Sequence, residues 1–342
     1  MTGIGIALFA LTVLLILTRY FHAIRPYPFP RHGTVGAAIL VAGEVLLFAR
    51  VEPVATYFTA IAWTGYILWA DAAVFSLRGK SLLKTDLMEF AWIAFCSIPL
   101  WLIFEVYNLR LRNWVYVGLP ENWLARNFGY AWAFATIWPA ILETATLWRA
   151  LSHQPAASTP SKTVEQMVSA VDPADPPETK RAASRPAEKH FGWARPATAL
   201  VGALLLIAPV LAPQWISSYL FGAVWLGFIF LLEPLNYRAG RESLWNDLQR
   251  GDFSRLNSLL IAGWICGIFW EFWNYWAQAR WVYTVPILPE WRIFAMPVLG
   301  YLGFPPFAVE CFAMLAFLAP AINGMRKKFG AKRPLRWEAL QL

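Results

Sequence analysis

Trp270-Glu271-Phe272-Trp273-Asn274, then Trp281-Val282-Tyr283, then Gly300-Tyr301-Leu302-Gly303-Phe304-Pro305-Pro306-Phe307-Ala308-Val309-Glu310: this stretch decides how the chain is read. It sets two carboxylates inside long apolar runs and surrounds them with aromatic rings. An ionised carboxylate in hydrocarbon costs several kcal/mol, so such acids face a protein interior, pair with bases or stay protonated.

The rest of the chain supplies the setting. Of 342 residues, 58% are hydrophobic and 15% charged, and the mean hydropathy is +0.45, which excludes an ordinary soluble fold and predicts an all-α, polytopic membrane protein whose first partner is the lipid bilayer. Twenty Trp and twenty-four Phe exceed what two interfacial belts use, so some rings are expected to line an interior. A net charge of +8 would suit nucleic acid, but the basic residues lie in short loops and in the tail from Arg326-Lys327-Lys328 to Arg336, so no nucleic-acid partner is expected. Cys96, Cys266 and Cys311 fall in apolar runs without paired spacing and read as reduced packing residues. His22, His32, His153 and His190 lie in loops or linker and never stand at i, i+4 with a carboxylate, so no His-ligated metal is expected. Walker A, GxGxxG, GxSxG, HExxH and DDxxD patterns are also absent, and no cofactor is expected.

Stretches long enough to cross a core of about 30 Å at about 1.5 Å per residue number nine: 3–21, 35–51, 54–77, 88–110, 128–149, 196–212, 214–235, 256–277 and 294–320. The first lacks a positive n-region and a small-residue cleavage site, so it is expected to be a retained helix. With the N-terminus outside, one side of the membrane carries 23 of the 29 Lys and Arg. That asymmetry predicts a multi-pass protein of the cell inner membrane with a cytoplasmic C-terminus.

Residues 151–195, rich in Pro, Ala, Ser, Lys and Glu, are expected to be a disordered cytoplasmic linker. On either side the same polar residues recur in order. Asp71 answers to Glu233, Glu105-Val-Tyr-Asn108 to Glu271-Phe-Trp-Asn274, Trp114-Val-Tyr116 to Trp281-Val-Tyr283, and Pro139 to Glu143 answers to Pro306 to Glu310, at offsets of 162 to 167 residues. This predicts an N-terminal transmembrane helix (1–30), a first membrane repeat (31–150), the linker, a second repeat (196–322) and a basic tail (323–342). Four spans per repeat make the two parallel, related by an axis along the membrane normal.

In each half, Glu and Asn three residues apart share a helical face. Glu105 and Glu271 fall toward the outer end, whereas Glu143, Glu310, Asp71 and Glu233 form an inner tier. A protonated acid in an aromatic cavity is also a proton donor. Pro139 and Pro306, four residues before the inner acids, are expected to kink their helices. A structural role for each lone Glu, bonding neighbouring helices, is the competing explanation. The Trp-Val-Tyr segments sit where an outer aromatic belt belongs. Glu44 has no counterpart and is given no role.

These residues resemble the lycopene cyclase domain of heterodimeric and fungal-type carotenoid cyclases. In that family an acid after Trp is followed by Trp-x-Phe/Tyr and a Gly-rich approach to Pro-x-Glu-Glu. Trp270-Glu271, Trp281-Val-Tyr283 and Gly300 to Glu310 are similar, and Phe104-Glu105, Trp114-Val-Tyr116 and Pro139 to Glu143 follow more loosely. The family's adjacent acid pair is replaced by one Glu four residues after Pro306. The resemblance implies acid-base cyclisation or isomerisation of a lipid-soluble polyene, an isoprenoid or pigment, by an isomerase acting in homo- or hetero-oligomeric form. It implies Glu310 and Glu271 as principal acids, with Glu143 and Glu105 as counterparts. Trp270, Trp281, Tyr283, Asn274, Asn108, Trp114, Tyr116, Asp71 and Glu233 are expected to surround the substrate. A proton-coupled small-solute transporter and a non-catalytic pigment- or quinone-binding subunit remain the alternatives.

Overall fold

The computed structural model describes residues 1–152 and 194–342. Most of the expected linker, with His153, His190, Asp172 and Asp175, lies outside the described residues. The described chain is mostly helical. Helices α1 (Thr2–His22), α2 (Arg31–Phe48), α3 (Val54–Arg78), α4 (Leu82–Thr85) and α5 (Leu87–Leu111) lead into strand β1 (Trp114–Val117), followed by α6 (Trp123–Ala135) and α7 (Ile137–Ser152). The second part comprises α8 (Ala194–Leu211), α9 (Gln214–Ser217), α10 (Phe221–Arg238), α11 (Leu244–Gln249) and α12 (Ser254–Trp276). Strands β2 (Arg280–Tyr283), β3 (Arg292–Ile293) and β4 (Met296–Pro297), a 3-10 turn (Val298–Gly303) and α13 (Phe304–Lys328) complete it.

Among the described residues, six helical segments are long and apolar enough to cross a membrane: α1, α2, α3, α5, α12 and Val298–Lys328. The expected fifth span is divided at Thr136, where α6 gives way to α7. Ile137 and Pro139 therefore lie in the first turns of a new helix, where a missing proline N–H costs nothing. Pro306 likewise lies in the first turn of α13. The kink expected at Pro306 is thus absent, because α13 begins there, whereas the fifth span is interrupted at Thr136, one turn before Pro139, whose missing N–H leaves the Ala135 carbonyl without an intrahelical donor.

The apolar surface is inverted relative to a water-soluble bundle. Leu11, Leu14, Val41, Val45, Leu102, Val106 and Leu109 are exposed on α1, α2 and α5, while α3, α12 and α13 are largely interior. Such outward apolar faces fit a lipid solvent. Inside, α3 and α10 are each backed by one outer helix through a glycine contact. A Cβ on Gly36 would lie 2.5 Å from the Gly65 carbonyl oxygen, and one on Gly202 would lie 2.7 Å from that of Gly227. Only small residues allow backbones this close. Trp138 of α7 crosses to α13, donating to the Cys311 carbonyl at 2.9 Å, and Asn236 of α10 donates to the Ala313 carbonyl at 2.9 Å.

The end of the basic tail is not free. Trp337, Leu340 and Leu342 are buried, and the buried carboxylate of Glu89 accepts the N–H groups of Glu338 and Ala339 at 2.9 and 2.8 Å. A 3-10 turn offers those donors at its N-terminus, and the apolar side chains supply the burial.

Candidate functional site

The two Trp-Val-Tyr segments are strands, and they pair with each other. Trp114 faces Tyr283, Val115 faces Val282 and Tyr116 faces Trp281, antiparallel. Each strand is fastened to its preceding helix by the Asn one turn after the acid. Asn108 accepts the Asn113 and Trp114 N–H groups at 2.8 and 3.2 Å and donates to the Trp114 carbonyl at 2.9 Å. Asn274 accepts the Trp281 N–H and donates to its carbonyl, both at 2.9 Å. Asn108 and Asn274, expected to bind substrate, instead hold the strands. The reason is geometric: a helix that ends just past Asn leaves its amide beside the returning chain. Gly118, at φ +68°, closes the first strand where a Cβ would lie 2.2 Å from the Gln278 carbonyl oxygen.

This clasp aims the tyrosines back at the acids. The Tyr116 hydroxyl donates to Glu105 Oε1 at 2.6 Å, and the Tyr283 hydroxyl donates to Glu271 Oε1 at 2.6 Å. Burial, reinforced by the neighbouring carboxyl, holds both phenols well above their ordinary value, so each remains a hydroxyl. The belt expected from the sequence is replaced by this pairing, since rings that find polar partners inside turn inward. The two couples then diverge. Glu105 Oε1 also receives Trp101 Nε1 at 2.8 Å and Trp114 Nε1 at 3.3 Å. In the second couple, Trp281 Nε1 donates to the Tyr283 hydroxyl at 2.8 Å, while Oε2 of the fully buried Glu271 has no hydrogen-bond partner.

Both tyrosines line one pocket, which encloses about 1170 Å³ of empty space including its open mouth. Its walls are rings: Trp63, Trp101, Trp114, Trp225, Trp270, Trp281, Tyr57, Tyr130, Phe304 and Phe307. Trp270 meets Trp281 edge-on at 6.5 Å and Trp63 at 5.3 Å, so the lining is itself packed. No carboxylate lines this pocket. Glu105 and Glu271 reach it through Tyr116 and Tyr283.

Four expected acids lie elsewhere. Glu310 is fully buried on α13 with neither oxygen hydrogen-bonded, and it is not part of the pocket wall. Asp71 accepts Ser81 Oγ and the Leu83 N–H, both at 2.8 Å, and lies 2.9 Å from His32 Nε2. Glu143 stands beside it, with Oε1 unpartnered. Glu233 repeats the arrangement, accepting Ser243 Oγ at 2.7 Å and the Trp245 N–H at 3.2 Å. Asp71 and Glu233 therefore fasten the turns that follow their helices.

Sequence reasoning overlooked several partners. Trp101 stands one helical turn before Glu105, a spacing that would have revealed the pair. His32 carries no local signal toward Asp71, because they meet only when α2 packs on α3. Glu44, given no role, accepts Trp273 Nε1 at 3.2 Å. Among the described residues, no group of three or more His, Cys, Asp and Glu is placed to hold a metal ion. No protein-family model, curated protein or solved structure matches this chain.

Proposed function

We propose that the chain is an integral-membrane, isoprenoid-modifying enzyme that adds a proton to a C=C bond and later removes one, cyclising or isomerising a lipid-soluble polyene without redox change. The observation carrying this reading is the convergence of two Glu–Tyr couples on one Trp-lined pocket. With Glu271 protonated and its O–H turned to the Tyr283 oxygen, the Tyr283 hydrogen is free to pass to a terminal C=C while the Glu271 proton replaces it, so Tyr283 ends neutral and Glu271 ends as carboxylate. A second double bond of the ligand attacks the resulting carbocation, closing a C–C bond. Loss of a neighbouring proton to the same Tyr283–Glu271 couple restores both groups and gives an isomer of the substrate. The ring faces of Trp270 and Trp281 stabilise the cation without trapping it. Glu271 is assigned as the acid, Glu105 as the counterpart that orders the opposite wall. Glu310 and Glu143, away from the pocket, are set apart from the reacting centre.

The architecture proposed with this reading is a duplicated four-span unit behind an extra N-terminal helix, crossing the inner membrane nine times with the N-terminus outside and the C-terminus cytoplasmic. It is supported by the matching Asn clasps, the matching Asp71 and Glu233 turns, and the antiparallel pairing of β1 with β2. Two copies of one segment pair in this way about a twofold axis perpendicular to them, as parallel repeats have along the membrane normal.

A non-catalytic pigment- or quinone-binding subunit is the second reading, favoured by the placement of both carboxyls behind rings. Expression in a lycopene-accumulating host separates them. A pigment with altered absorption and retention, lost in Glu271→Gln, supports the enzyme. A chromophore that co-purifies chemically unaltered supports the binding subunit. Unchanged pigment despite verified membrane expression overturns lycopene cyclisation.

A further inference from the structure

Among the described residues, the only charged side chains lining the aromatic pocket are Arg126 and Arg280. Arg280 opens β2 and is exposed, whereas Arg126 lies in the first turn of α6 and is half-buried. The ion pairs formed among the described residues involve His32, Lys80 and Arg255, so neither pocket arginine has a carboxylate partner. The Arg280 guanidinium donates to the Ala277 carbonyl at 3.1 Å. Two planar, permanently charged donor forks thus stand over a wall whose other side chains are rings, aliphatic groups and the hydroxyls of Thr56 and Thr59. A purely hydrocarbon ligand would give them nothing to bond. Guanidinium forks match the oxygen geometry of phosphate and carboxylate.

We infer that the pocket takes an anionic amphiphile, with its apolar chain among the Trp and Tyr rings and its phosphate or carboxylate head held by Arg126 and Arg280. This rests on the reading of the pocket as the ligand site, and it narrows the isoprenoid substrate class to members bearing an anionic head. The same head chemistry is offered by a prenyl phosphate and by an acidic phospholipid of the bilayer. In both, the head is fixed at the arginines, so the position of the chain beside Tyr283 is set by its length.

Tryptophan fluorescence of the full chain in a neutral detergent provides the test, because binding places the probe against the pocket indoles. Titration with geranylgeranyl monophosphate is compared with geranylgeraniol, which has the same chain and no charge. The phosphate is expected to bind at least about tenfold more tightly, with a preference that shrinks as salt rises and that is lost in Arg126→Gln and in Arg280→Gln. Competition by dioleoylphosphatidylglycerol but not by dioleoylphosphatidylcholine assigns the head to the bilayer; failure of both lipids to compete assigns it to the prenyl phosphate. Equal affinity for alcohol and phosphate, insensitive to salt, overturns the anionic-head inference and leaves the apolar pocket standing. Absence of binding by both probes overturns the pocket reading and this inference with it. A lycopene-derived product without phosphate preference would likewise keep the cyclisation and remove the head.

Discussion

Glu105 and Glu271 occupy the same place in two like segments, each bonded to the tyrosine of its own strand, and they are not equivalent. Glu105 is partly exposed and one of its oxygens receives three donors, from Trp101, Trp114 and Tyr116. Glu271 is sealed, receives Tyr283 alone, and keeps its second oxygen without a partner. Two neighbours differ: the position of Trp101 is taken by Gly267, where a Cβ would lie 2.2 Å from the Phe304 ring, and Trp281, at the position of Trp114, donates to the Tyr283 hydroxyl instead of to the acid. A carboxyl bound by several donors is an anchor, whereas one bound by a single hydroxyl can exchange a proton with little rearrangement. Two like Glu–Tyr couples thus differ in donor number and burial when the indoles around them differ.

The largest effect that would break this comparison is on activity. Glu271→Gln is expected to abolish product formation, while Glu105→Gln and Glu310→Gln retain it; an inactive Glu310→Gln with intact folding would move the acid to α13. Next, Tyr283→Phe, which removes the only donor on Glu271, is expected to lower turnover by about 10²–10⁴-fold. Tyr116→Phe should cost less than about tenfold, since two indole donors remain on Glu105 and a lost hydrogen bond is worth about 1 kcal/mol. Product analysis in membranes normalised for protein content checks both. On stability, Asn274→Ala and Asn108→Ala each strip a strand of its clasp and are expected to cost about 1–3 kcal/mol, read as a lower Tm in detergent. The smallest contrast concerns glycines. Gly263→Ala would bring a Cβ within 2.3 Å of the Phe304 carbonyl oxygen and is expected to cost about 1–3 kcal/mol. Gly222→Ala, which meets nothing within 4 Å on a helix, should be neutral or stabilising by about 0.5–1 kcal/mol. Equal Tm losses in the two would show that α12 and α13 pack less closely than described.

Much of the helical plan was legible because apolar run length and turn residues are local properties. The α3, α5 and α12 bounds follow the expected spans to within a few residues. The kink at Pro306 is not found, because a proline four residues before an acid reads the same in mid-helix and in a first turn. What distinguishes Pro306 is the 3-10 turn that precedes Phe304, whereas at Pro139 the span is interrupted at Thr136. The docking of the tail was not legible: its charge was visible, but its contact with Glu89 joins residues 250 apart in sequence.

By itself the sequence determined the apolar helices, the spaced acids and the recurrence of Glu, Asn and Trp-Val-Tyr on both sides of residues 153–193. These are fixed by composition and short-range period, which a chain carries whether or not it is folded. Only the tertiary structure decided that the two Trp-Val-Tyr segments pair, that their tyrosines cap the outer acids, and that Glu310 stands apart from the pocket. Such facts depend on which helix faces meet and where the returning strand lies, and the pairing of β1 with β2, far apart in sequence, leaves no trace in the spacing of either partner.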